Sequence, residues 1–135
     1  MATTQATITL SSSDMMDNNI SISNTATLTT AGTETGLTET TGLARRKFAS
    51  TSKVDLVTIA NTDVPQDKAT KLFIRNTNAR ASDKYVLILI NSQEIGRLYG
   101  GDWMFVPLVG ASGEDVEIDP SDATETIIEY MVFFE

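Results

Sequence analysis

The 135-residue chain contains no cysteine and no histidine. The first absence excludes a disulfide framework, a thiol nucleophile and a thiolate metal site. The second removes the commonest general base and the commonest side-chain ligand of transition metals. No apolar run approaches the roughly 20 residues of a membrane-spanning helix. The opening MATTQATITL has neither the basic nor the apolar region of a secretory signal. The sequence also lacks a P-loop, a G-x-G-x-x-G stretch and a G-x-S-x-G stretch. Together these absences predict a soluble, non-enzymatic protein made without secretion, with no organic cofactor and no tightly bound transition metal.

Charge of one sign is missing from whole segments. The net charge is −8, residues 1–44 carry no Lys or Arg, and residues 98–135 carry nine acids and no base. All ten basic residues lie between Arg45 and Arg97. An acidic chain is repelled by the phosphates of nucleic acid and by anionic lipid, so neither nucleic acid nor a membrane is an expected partner. The basic middle leaves two readings of Arg45-Arg46-Lys47: a solvated strand face, or a docking site for an acidic partner.

Large apolar side chains are scarce at the start. Of the first 44 residues thirteen are Thr, five are Ser and none is aromatic, a composition typical of a linker or arm. Period-2 alternation survives within it. Ala6, Ile8 and Leu10 oppose Thr7 and Thr9; Ile20 and Ile22 oppose Ser21 and Ser23; Ala26 and Leu28 oppose Thr25, Thr27 and Thr29. Threonine is β-branched and suits an extended chain. Residues 1–42 are therefore expected to form an extended Thr/Ser-rich arm of short strands, with one helical turn over SSSDMMDNN. Such an arm has too little apolar surface to offset its own ordering, so Ile8, Leu10, Ile20, Ile22 and Leu28 are expected to contact a neighbouring subunit or shell.

From residue 43 to 135 the chain reads as about eight short strands separated by turn signals. KVDLVTIAN precedes the turn NTDVPQDK. TKLFIRN alternates, with Leu72 and Ile74 on one face and Lys71, Phe73 and Arg75 on the other. KYVLILIN is apolar on both faces, which marks a central strand, and EIGRLY returns as its hairpin partner. Gly100-Gly101 supplies a tight turn into DWMFVPL. There Met104 and Val106 face one way and Trp103 and Phe105 the other, and Pro107 marks a sheet edge or a bulge. Trp103 either fills the core or stands as an exposed aromatic contact. No stretch after residue 43 has sustained helical periodicity. The expected fold is all-β, an antiparallel β-sandwich or jelly-roll-like domain over 43–135. Tyr85, Leu87, Leu89, Ile128, Tyr130 and Val132 are expected in its core.

Few residues suggest chemistry. Asp115, Glu117 and Asp119 alternate on one strand face while Val116 and Ile118 face inward. Calcium favours clustered oxygen ligands, but alternate strand residues stand nearly 7 Å apart. The triplet therefore reads as a solvated face, with a weak cation site as the alternative.

The segments KLFIRNTN, KYVLILINSQEIGRLYGGDWMFVPL and DVEIDPSDATETIIEYMVFFE resemble small structural proteins of tailed-bacteriophage virions. The resemblance rests on LFIRN before a polar loop, on the turn LYGGD into an apolar strand ending in Pro, and on the C-terminal strand IEYMVFF. It covers residues 50–135 well and the arm loosely, and within that class a capsid decoration (cement) protein fits best. The resemblance implies a non-enzymatic subunit on the capsid surface, assembled in the host cytoplasm. Its partner would be the major capsid protein, and it would be a homo-oligomer, with a trimer favoured. Arg45, Arg46 and Trp103 join the arm residues as expected contacts. A tail, neck or fibre component is the alternative. So is a carbohydrate-binding sandwich with Trp103 and Tyr99 as a sugar platform.

Overall fold

The computed structural model describes residues 3–14, 19–30, 32–37, 39–59, 70–80, 83–108, 113–123 and 125–134. Residues 15–18 of the expected SSSDMMDNN turn and the whole of NTDVPQDK lie outside these residues. The described chain is all-β and divides into two units, residues 1–38 and 39–135.

In the first unit, β1 (Gln5–Ser12) and β2 (Ile20–Thr27) form an antiparallel hairpin in unbroken register, from Gln5 opposite Thr27 to Ser12 opposite Ile20. The β-branched, hydroxyl-rich composition explains why these segments are extended. Cross-strand hydroxyls add a polar ladder, with Thr7 and Thr25 Oγ1 atoms 2.8 Å apart. Beyond β2, Leu37 N–H donates to the Leu28 carbonyl (3.0 Å), and both leucines are buried.

The second unit contains β3 (Glu39–Thr40), β4 (Ala44–Phe48), β5 (Val54–Val57), β6 (Thr70–Asn76), β7 (Tyr85–Ile90), β8 (Gln93–Tyr99), β9 (Trp103–Leu108), β10 (Val116–Pro120) and β11 (Thr126–Phe134). One sheet runs β5-β10-β7-β8. The other runs β3-β11-β6-β9, with β4 also on β11. β4 pairs with the first half of β11 and β3 with its end. Three residues, Thr41 to Leu43, oppose two on β11, with Gly42 at φ +74. This is a bulge of the kind that needs a residue free to enter positive φ. The chain thus joins the sandwich at Glu39, a few residues before the boundary expected at 43.

The pairings are nested: β4 with β11, β5 with β10, β6 with β9 and β7 with β8, all antiparallel and alternating between the two sheets. A single long hairpin folded over on itself in this way is a jelly roll. Its tip is the two-residue turn Asn91-Ser92, with both residues at positive φ (49° and 58°). That geometry matches the right-handed twist of the flanking strands.

All eight strands from β4 to β11 contribute to one core. Leu72, Ile74, Val86, Ile88, Val116, Ile118, Ile128 and Val132 have no solvent exposure. The core face of β7 differs from expectation. Val86 and Ile88 point inward, whereas Tyr85 and Leu87 lie on the opposite face and are only half-buried. Leu89, Ile128 and Val132 are buried, and Tyr130 packs against the core. β9 is the outer strand of its sheet. Pro107 therefore sits on an edge, where its missing donor costs no interior ladder bond.

Candidate functional site

The stretch that carried the family resemblance proves to be a structural corner. β6 alternates Leu72, Ile74 and Asn76 toward the core, so its last inward residue is polar and fully buried. Asn76 Nδ2 donates to the Leu98 carbonyl of the opposite sheet at 2.9 Å, and its Oδ1 accepts from Asn78 N–H at 3.0 Å. Its main chain accepts from Gly101 N–H (2.9 Å) and donates to the Asp102 carbonyl (3.0 Å). Asp102 Oδ2 in turn accepts from Tyr99 N–H at 3.0 Å and closes the turn. Gly101 has φ +83. A Cβ on Gly100 would stand 2.1 Å from the Ala79 carbonyl oxygen. Backbone packs on backbone at this point and no side chain fits. LFIRN and YGGD are two halves of one latch between the sheets.

Two members of the carboxylate triplet have separate partners within the chain, and Glu117 is buried rather than on a solvated face. Asp115 Oδ1 accepts from Ile59 N–H at 2.7 Å. Glu117 meets Lys53 Nζ at 2.7 Å and accepts from Ser92 N–H, also at 2.7 Å. The Lys53 ammonium holds the Glu117 carboxyl below the usual range; partial burial opposes this, and the Ser92 hydrogen bonds reinforce it. Among the described residues no three acids gather closely enough to hold a metal ion.

The basic run is engaged within the chain. Arg45 Nε donates to Glu129 Oε1 at 2.6 Å, and Arg46 Nη1 donates to the Asp55 carbonyl at 2.8 Å. The Arg46 guanidinium also stacks 5.2 Å from the Phe48 ring centre. Trp103 is 48% exposed and points away from the core beside Arg75, its register partner on β6. Of the two readings of Trp103, the structure places it on the surface. Tyr99 is exposed on the outer face of the other sheet, so Trp103 and Tyr99 do not form one platform.

The expected arm contacts separate into two groups. Ile8, Leu10 and Ile22 are exposed at 42%, 52% and 52%. They lie on one face of the hairpin with half-buried Ile20, while the other face carries Thr and Ser. Leu28 does not belong with them: it is buried in the chain, where Thr4 and Leu37 bond its backbone. The alternation that marked it as apolar could not show whether its cover came from within.

One feature had no forecast as a site. On the outer face of the larger sheet, Phe73 lies in register between Phe105 and Met131, one row from Trp103. The signal was present in the alternation of TKLFIRN, which put Phe73 with Lys71 and Arg75. No family model matches the chain, and no curated protein matches its sequence.

Proposed function

We propose that this chain is a non-enzymatic virion structural protein, a capsid decoration protein that binds the major capsid protein and stabilises the outer shell. The observation that carries the reading is the hairpin β1–β2. Its strands hold no charged residue, and one face offers Ile8, Leu10 and Ile22 to solvent. A two-stranded sheet of this kind is marginal alone and gains stability by laying its apolar face on another surface. The jelly roll that follows it in the sequence is an architecture that capsid proteins share with lectins and others, so topology supports the reading without carrying it. The absence of histidine and cysteine from the sequence agrees with a binding role rather than a catalytic one.

The test is quantitative mass spectrometry of purified phage particles that encode the chain. A copy number matching the many repeated sites of a shell supports decoration. A handful of copies moves the protein to the tail, neck or fibre. Absence from particles removes the virion reading. In the same particles, Ile8→Ser combined with Leu10→Ser and Ile22→Ser is expected to abolish incorporation while the soluble protein stays folded.

A further inference from the structure

The two outer faces of the sandwich carry opposite charge. On the larger sheet, the outward strand positions hold Arg45, Lys47, Lys71 and Arg75 against Glu129, with Glu125 just before β11 paired to Lys47. On the smaller sheet, they hold Asp55, Glu94, Glu117 and Asp119 against one cation, Arg97, with Lys53 beside β5 paired to Glu117. Each face also carries exposed aromatic surface: Trp103 on the basic side, and Tyr99 on the acidic side, its ring tilted against that of Tyr85 at 5.4 Å between centres. Trp, Tyr and Arg are the residues that most often anchor protein interfaces.

We propose that these faces recognise each other between copies of this chain, so that the basic aromatic face of one molecule docks on the acidic face of the next. Charge decides the orientation. At a net charge of −8 two copies repel in most approaches. Two basic faces, or two acidic faces, would also set like charges opposite one another, which is costly. Only the unlike pairing places cations opposite carboxylates and aromatic surface opposite aromatic surface. Such a contact is heterologous, using different patches on the two partners, and it builds a ring if the rotation closes or a chain if it does not. This inference gives a geometry to the homo-oligomer that the resemblance implies, but it needs no particle: sedimentation tests it alone, whereas particle composition tests decoration.

The experiment is sedimentation velocity on the full chain across a salt series, with two face variants whose folding is checked by thermal melting. Lys71→Glu with Trp103→Ser disables the basic face, and Asp55→Lys with Glu94→Lys disables the acidic one. The native chain is expected to sediment as an oligomer that weakens as salt rises. Each variant should be a monomer, and an equimolar mixture should form a one-to-one dimer, because each variant keeps one competent face. A native chain that is monomeric at every salt concentration overturns the proposal. So does an acidic-face variant that associates as well as the native chain, the result expected of a symmetric contact. A mixture that stays monomeric overturns it as well.

Discussion

The Asn76 side-chain amide reaches across the sandwich to the Leu98 carbonyl, while the Asn76 carbonyl accepts from Gly101 N–H, each at 2.9 Å. One buried residue therefore ties β6 to the opposite sheet and to the turn that leads into β9. Asn76→Ala leaves the Leu98 carbonyl without its partner and should cost about 1–3 kcal/mol, the desolvation penalty of a buried unpaired group. Urea denaturation would measure it. A loss within error would mean that water replaces the amide without cost.

Gly100 and Gly96 make a matched pair of tests. A methyl at Gly100 meets the Ala79 carbonyl oxygen, whereas one at Gly96 meets nothing within 4 Å. Gly100→Ala must move backbone and should destabilise by about 1–3 kcal/mol or more. Gly96→Ala should be neutral or stabilising by up to about 1 kcal/mol, because it reduces the freedom of the unfolded chain. Thermal melts of the two variants should move in different directions.

Glu117 gives the stability a pH dependence of known sign. Its carboxyl is held below the ordinary range by Lys53 and Ser92. The pairing therefore contributes fully above the unfolded value, roughly 4.3, and is lost as pH falls through the folded value. Glu117→Gln should lower the melting midpoint at pH 7. The gap from the native chain should close as the pH is taken below about 4. A gap that stays constant with pH would assign the effect to packing instead.

On β7, neighbouring residues should respond differently. Ile88 is fully buried and Leu87 only half-buried on the other face. Ile88→Ala should cost about 2–5 kcal/mol. Leu87→Ala should cost clearly less, since a side chain that stays partly in water has less transfer free energy to lose. Equal losses would place both faces of the strand in a dry interior.

Removing residues 1–38 should leave a folded jelly roll whose melting midpoint changes little, because every residue of the core cluster lies between Phe48 and Phe134. The cut should stop there. Glu39 and Thr40 pair with Phe134 and Phe133 of β11, so a deletion reaching residue 40 also strips an edge from the sheet. Unfolding of the 39–135 chain would show that the first unit supports the second.

The strand-rich body and the eight segments from β4 onward were legible in the sequence, and Pro107 narrowed DWMFVPL to a sheet edge or a bulge, of which the folded sheet shows the edge. Alternation and turn residues are local, and Pro107 carries its meaning within its own strand. Alternation divides a strand into two faces but does not say which one is inside when both are apolar. For that reason alternation alone offers Tyr85, Leu87 and Leu89 as the inward face of KYVLILIN, whereas packing buries Val86, Ile88 and, of those three, only Leu89. The same limit applies to Leu28, whose cover comes from within the chain, and to Trp103, whose edge strand turns it to solvent. Asn76 shared the inward phase of Leu72 and Ile74 in the sequence. Its role became visible only when the second sheet brought the Leu98 carbonyl within hydrogen-bonding distance. Pairing across 22 residues, and the charge contrast between the two outer faces, depend on which strands become neighbours. That is settled by closing the long hairpin into two sheets, where burial of the common core selects one register among many local possibilities.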